Sequence, residues 1–208
     1  MKDLILIGKQ GAGKGVEGEL LSEKFGFKTF ETGKELRKII EEGSELGVKI
    51  KSIINNGDLV SDELVMEIVQ NFLMNTPKNT PIIFDGIPRS EKQRQMMEVE
   101  LEKSERKYQV LEIQLSNETS LNRLLKRSRC NKCNANFIED ACPKCGSTDF
   151  SKREDDNKEA ILKRLGNFEK HTLPAIEVWR NEGKIISVSG EGTINECFQE
   201  IIVKLGDK

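Results

Sequence analysis

The stretch "GKQGAGKG", residues 8–15, directly follows the apolar run Leu4–Ile7 near the start of the chain. Four glycines and two lysines share eight positions, and the spacing G-x-x-x-x-G-K is carried by Gly8, Gly13 and Lys14. Glycine lets a backbone approach a ligand closely and adopt positive φ. Successive N–H groups can then cradle a phosphate chain, with a lysine reaching its outer phosphates. A helix beginning at this loop points its positive end at the same anion. The hydroxyl residue that usually follows the lysine is absent; Gly15 and Val16 stand there. A plain glycine-rich turn between strand and helix is the alternative. The order of buried strand, loop and amphipathic helix favours phosphate binding.

Working outward, "VEGELLSEKFG" has helical spacing, with Val16, Leu20, Leu21 and Phe25 on one side and Gly26 as its end. "FKTF" reads as a strand, and Thr32 as the N-cap of the helix "GKELRKIIEEG". Two more helices follow in "LGVKIKSIINNG" and "SDELVMEIVQNFLM", the second capped by Ser61. "PIIFDG" is a buried strand ending in a polar turn, residues 90–104 are helix-compatible, and "YQVLEIQLS" is a strand. Asn117 is positioned to cap "ETSLNRLLKRS". A long helical pattern starts near Asp156 and is broken at Pro174, before the strand "KIISVSG" and the helix "INECFQEIIVKLG". Alternating strands and helices specify an α/β fold with a parallel sheet covered on both faces.

The 208 residues carry 33 Lys and Arg against 35 Asp and Glu, a net charge of −2. No basic excess argues for nucleic acid, no acidic excess for a disordered tail. No apolar run approaches the ~20 residues that span a bilayer, and the N-terminal run is too short for a signal peptide. The expectation is a cytoplasmic protein with no membrane partner. Cys130, Cys133, Cys142 and Cys145 form two C-x-x-C knuckles in a segment poor in aliphatics, about 128–153. Four thiolates suit a tetrahedral metal, zinc ahead of iron, in a structural role with no open position. Disulfides or free thiols are the alternative. Cys197 reads as a small core residue, Trp179 and Tyr108 as packing residues, and His171, the single histidine, receives no chemistry.

Taken together, these motifs resemble the adenylate kinase family, in its long form with a zinc-bearing lid. The resemblance runs nearly end to end: "GKQGAGKG", "ETGKELR", "LGVKIKSIINNGDLVSDELV", "DGIPRSEKQ", "LNRLLKR", "KREDD" and "KRL" all match. It implies a P-loop kinase with a five-stranded parallel sheet flanked by helices. The core would be residues 1–31, 62–127 and 156–208, with an inserted helical AMP-binding segment at 32–61 and a small zinc-binding lid at 128–155. It further implies a monomer that carries out magnesium-dependent, reversible transfer, ATP plus AMP to two ADP, with no nucleic-acid partner.

Site residues follow from the same resemblance. Gly11, Ala12, Gly13, Lys14, Gly15 and Val16 match the ATP loop. Arg123 and Arg127, four apart and so on one helix face, match the arginines facing the ATP phosphates. Arg37 and Arg89 match those holding the AMP phosphate, and Arg153 and Arg164 the remaining clamps. Lys14, Arg89, Arg123, Arg127, Arg153 and Arg164 would be catalytic. Thr32, Gly33, Leu59, Val60, Gly86 and Gln93 match positions that contact AMP. Asp85 matches the carboxylate that holds magnesium through water. Asp155 and Asp156 match a pair tying lid arginines to the hinge, and suit the start of a helix equally well.

The sequence also departs from the family pattern. Val16 replaces a usual Thr, Lys34 a usual Asp that supports magnesium's water shell, Ile87 a usual Phe and Ser61 a usual Pro. The loop "SVSGEG" lacks the Asp common before Gly190. These departures keep two alternatives open: a nucleoside monophosphate kinase with another donor or acceptor (GTP, or UMP/CMP), and a catalytically weak nucleotide-binding regulator. A third, a zinc-ribbon nucleic-acid binder suggested by "KRSRCNKC", is disfavoured by the scarcity of aromatics for base stacking.

Overall fold

A computed structural model describes residues 1–206. Strands β1 (Asp3–Ile7), β2 (Lys28–Glu31), β3 (Ile82–Asp85), β4 (Tyr108–Gln114) and a late strand at Ile185–Ser189 form one sheet. Every pairing in it is parallel, and the late strand lies at the edge beside β4 in the order β2-β3-β1-β4-edge. Alternate residues of these strands feed two cores. Ile5, Ile7, Phe30, Ile82, Phe84 and Val110 pack on one face with Met97 and Trp179. Leu4, Leu6, Ile83, Leu111 and Ile113 pack on the other with Leu21, Val188 and Ile201. Side chains buried on both faces explain why the strands read as continuous apolar runs. Burying each stabilises the fold by about 1.5–3 kcal/mol.

The helices are α1 (Lys14–Phe25), α2 (Thr32–Glu41), α3 (Glu45–Asn55), α4 (Asp62–Met74), α5 (Glu91–Lys103), α6 (Asn117–Lys126), α7 (Lys158–Asn167), α8 (Leu173–Asn181) and α9 (Ile194–Leu205). Ser61 caps α4 by accepting from the Leu64 N–H, as the sequence implied. Three local expectations are corrected. Thr32 is the first residue of α2, whose N-cap is Glu31 with no side-chain cap bond. Asn117 opens α6, and Ser116 caps it by accepting from the Thr119 N–H. The long pattern after Asp156 is capped by Asn157 and interrupted by a π-turn at Phe168–Thr172, so Pro174 lies in the first turn of α8 and does not itself break a helix.

α1 also differs from its apolar spacing. Its buried residues are Glu17, Gly18 and Leu21, while Val16, Leu20 and Phe25 are half-buried. Gly18 lets the helix approach Leu6 and Ile83 closely. Between α6 and α7 lies a separate three-stranded antiparallel sheet: β5 (Ser128–Cys130) at the centre, β6 (Asn136–Phe137) and β7 (Phe150–Ser151) on its sides. The edge strand Ile185–Ser189 of the main sheet is β8.

Candidate active site

The loop after β1 is built as its spacing requires. Gly8 has φ 143°, and a Cβ there would lie 2.3 Å from the Ile113 carbonyl oxygen. No other residue fits, so strand β4 itself enforces the first glycine. Gly13, with φ 94°, is the N-cap of α1 and hands the chain into the helix at Lys14. Lys14 Nζ donates to the carbonyls of Gly8 and Lys9, both at 2.8 Å, and so curls over its own loop. Burial lowers its ammonium to about 8, with Asp85 opposing that shift and Arg89 and Arg127 adding to it. The loop is braced from behind by Ser120 Oγ donating to the Gln10 carbonyl. Arg123 donates to Gly11 O at 3.4 Å and reaches Glu191 O and Gly192 O in the loop after β8.

Asp85 ends β3, at the carboxyl edge of the sheet where ligands of open α/β sheets bind. It faces α1: its carboxylate lies 3.7 Å from where a Cβ on Gly15 would be. Burial raises its pKa, Lys14 and Arg89 oppose this, and the neighbouring Glu31 reinforces it. Glu31 is its in-register partner on β2. Thr32 is buried and its hydroxyl donates to Asp85 O at 3.4 Å.

Beyond β3, Gly86 has φ 80°, and a Cβ there would lie 3.2 Å from Arg89 Nη2. Arg89 follows the cis Ile87–Pro88 peptide and donates from Nε to Gly86 O at 2.9 Å. Its backbone N–H donates to Gln93 Oε1 at 2.7 Å, and its carbonyl accepts from Thr172 Oγ. Gln93 is 2 % exposed. Its carbonyl end is therefore engaged by the main chain, which leaves the NH2 end as the hydrogen-bonding edge. Arg37 packs against Gly33, whose Cβ would sit 3.3 Å from Nη1. Leu59 and Val60 line a groove of about 490 Å³ that also contains Ser90, Asn167 and His171.

Three arginines share two carboxylates. Arg127 makes a bidentate pair with Asp156, 2.7 Å from both Nε and Nη2. Arg153 does the same with Asp155 at 2.9 and 2.6 Å. Arg164 bridges the two, at 2.9 Å to Asp155 and 2.9 Å to Asp156. Burial pushes Asp155 upward, but Arg153, Arg164 and Arg127 outweigh it and hold the carboxyl below its ordinary range. Arg164 Nε is buried with no hydrogen-bond partner. The fork geometry leaves further donors on these guanidiniums for an anion.

The four knuckle cysteines are free thiols, and their Sγ atoms all lie within 4.8 Å of one another. Cys130–Cys145 and Cys133–Cys142 are each at 3.5 Å. Four thiolates about 2.3 Å from a central ion have sulfur–sulfur edges of about 3.8 Å, so the cluster is the right size for tetrahedral zinc.

A model of the adenylate kinase family matches residues 6–184. The chain belongs to the adenylate kinase family. Relatives agree over nearly the whole length. It is 35% identical to an adenylate kinase of Elusimicrobium minutum, covering 95% of each chain. It is 36% identical to one of Caldicellulosiruptor saccharolyticus, covering 98% of each, and 33% identical to one of Erythrobacter litoralis, covering 96% of this chain and 97% of that one. The chain is thus a nucleoside monophosphate kinase, a phosphotransferase of the adenylate kinase type. Among the described residues, no helix is long and apolar enough to cross a membrane.

Family membership sharpens the departures. Lys34 is mostly exposed and pairs with Glu31 at 3.5 Å, so its charge is directed to that carboxylate. Three residues passed over in the sequence now matter. Glu31 stands beside Asp85. Glu17 is 2 % exposed behind the phosphate loop and interacts with the Cys197 thiol. Arg129 projects from the centre of the small sheet. Glu17 hid within a helix whose polar face it was expected to join. Arg129 hid in the basic run before the first knuckle, where a surface charge is the ordinary reading.

Proposed function

We propose that the chain transfers the terminal phosphoryl group of ATP to AMP, reversibly, in the cleft between the Gly8–Val16 loop, Asp85 and six arginines. The carrying observation is the built loop Gly8–Gly13 with Lys14 curled over it, beside Asp85 at the carboxyl edge of the sheet and close enough to Arg89 and Arg127 to feel both charges. So many cations held together and partly desolvated call for a polyanion between them.

In this reading the donor's phosphates lie along Gly11–Val16. Lys14 exchanges its two loop carbonyls for phosphate oxygens, and Arg123 and Arg127 hold the donor side and the group in flight. Arg37 and Arg89 hold the acceptor's phosphate, while Thr32, Gly33, Leu59, Val60 and Gly86 frame its nucleoside. Gln93 offers its NH2 to a ring-nitrogen acceptor of the base. An oxygen of the acceptor's phosphate attacks the donor's terminal phosphorus, and the bond to the bridging oxygen breaks. The attacking oxygen is already anionic, so no protein base is needed. Catalysis is alignment and charge stabilisation. Arg153 and Arg164 meet the charge spread over the transferred group. Asp155 and Asp156 keep three mutually repelling guanidiniums oriented before substrate arrives.

Asp85 would hold magnesium through water, and the ion would neutralise charge on the donor's phosphates. Burial disfavours its ionised form and Lys14 and Arg89 offset this, and a nearby cation would favour the carboxylate further. The four cysteines would hold zinc, which contributes folding energy to a segment with little core of its own. The division at 32–61 and 128–155 belongs to this proposal. Glu154 accepts from Lys51 and Asn55 of α3, and Lys144 pairs with Glu19 of α1. These surface pairs join the small sheet's segment to α3 and α1.

A coupled assay of the purified, metal-replete chain tests the proposal. ADP should form from ATP and AMP with magnesium, and Lys14→Ala should lose that turnover. Absence of turnover above the Lys14→Ala level, with any common nucleoside monophosphate as acceptor, contradicts it.

A further inference from the structure

Strand β5 has two unlike faces. Ser128 and Cys130 point to one side with Phe137 and Phe150, whose rings meet edge to face at 5.5 Å, and this side holds the cysteine cluster. Arg129 points to the other, together with its cross-strand partners Asn136 and Ser151. Opposite residues of an antiparallel pair share a face, and so do residues two apart on one strand. Arg127 lies two residues before Arg129, and Arg153 two residues after its cross-strand partner Ser151. Both of those arginines are bound to the Asp155–Asp156 pair.

Arg129 has no such partner. It is half-buried, and its side chain makes no hydrogen bond or ion pair among the described residues. Across the cleft, Arg37 likewise has no hydrogen-bonded or ion-paired carboxylate among the described residues. Burial holds Arg37 down to about 10, the nearby Arg153 and Arg129 add to this in that order, and Asp155 and Glu31 oppose it. A phosphate between Arg129 and Arg37 would meet guanidinium donors from both. A surface charge would turn to water or to one of the chain's many carboxylates.

We propose that Arg129 is a further phosphate-binding arginine, carried by the small sheet to the acceptor's phosphate, so that it and Arg37 grip that phosphate from opposite sides. The inference rests on the cage reading given above and adds to it a contact from the zinc-bearing segment to the acceptor. The acceptor's phosphate, with its dianionic charge and three oxygens, offers bidentate sites to both forks. Arg129 comes from the zinc-bearing segment and Arg37 from α2, so the shared grip needs both walls drawn together, and a probe that occupies both nucleotide sites draws on it most.

The test is isothermal titration of the full-length, metal-replete chain with diadenosine pentaphosphate, and separately with AMP alone. Arg129→Met should weaken binding of the bisubstrate probe roughly ten- to hundredfold, the range for one charge-assisted fork. AMP alone should be affected much less, and Arg129→Lys should recover part of the loss, since it keeps the charge but not the fork. Equal affinity of wild type and Arg129→Met for the probe overturns the role of Arg129 and leaves the cage intact. Failure of the wild type to bind the probe defeats the cage itself. Should Arg129→Met lose metal or melt early, phenylglyoxal modification of the wild type decides. The probe should slow reaction at Arg129; an unchanged rate there overturns the inference.

Discussion

Replacing Asp156 by Asn removes one charge and nearly no volume from the busiest junction in the molecule. The Asp156 side chain is 2 % exposed and accepts from Arg127 twice and from Arg164 once. Asparagine keeps one acceptor oxygen and turns an NH2 toward a guanidinium. Two partly buried arginines then share Asp155 with Arg153 and must leave one fork unmet. Breaking a buried ion pair from one side costs about 3–5 kcal/mol. The retained oxygen places this variant near the lower end, about 3 kcal/mol. For a chain of this size 1 kcal/mol corresponds to about 2–4 °C in Tm, so a fall of roughly 6–12 °C is expected. Calorimetric melting of the metal-replete, nucleotide-free chain reads it, with exposed Glu102→Gln as a control that should stay within about 0.5 kcal/mol. Turnover should fall as well, on the order of tenfold, because misplaced arginines lose alignment with the transferred group. A Tm within about 2 °C of wild type, with unchanged turnover, refutes the claim that this carboxylate organises the arginines.

Other expectations follow from single groups. Burial pushes Glu17 up to about 7, with the Cys197 thiol opposing. A raised acid favours its neutral form in the folded state, so stability falls as pH rises from the ordinary carboxylate range toward 7. Glu17→Gln should therefore stabilise the chain more at pH 8 than at pH 5 in denaturant titrations, and an equal gain at both counts against it. Asp155 is held low, so its contribution is present above the unfolded value of about 3.9 and lost as pH falls through its lower folded value. Asp155→Asn should accordingly lose less stability than wild type on acidification below about pH 4. Elemental analysis should find close to one zinc per chain, with iron the competitor, and Cys142→Ser should lower both metal content and Tm; under about half an equivalent of either metal defeats the site.

The framework of the fold was legible because it is periodic. Leu4–Ile7, "PIIF" and "YQVLEI" are buried on both faces and announce themselves as apolar runs. The phosphate loop was legible because steric demand fixes its glycines, as at Gly8 against Ile113. Helix starts were less so. Thr32 and Asn117 are good capping residues, yet Glu31 and Ser116 take the caps because strand β2 runs directly into α2 and Ser116 meets the Thr119 N–H. The break after α7 is a π-turn, which has no strong local signature, and the nearby proline drew the eye instead. Glu17 and Glu31 acquire meaning only from what the fold sets beside them, Cys197 and Asp85, and Arg129 from its place at the centre of the small sheet. Such pairings join positions far apart in the chain, and one sequence does not reveal them.

The central claim is that one cationic cleft holds two nucleotides joined through their phosphates. A crystal structure of the metal-replete chain with diadenosine pentaphosphate addresses it most directly. The account predicts a single unbroken phosphate run from the Gly11–Val16 loop to Arg37 and Arg89, with Lys14 withdrawn from the Gly8 and Lys9 carbonyls. A cleft left empty under saturating probe, or a probe seated elsewhere with Lys14 still bound to its own loop, contradicts it.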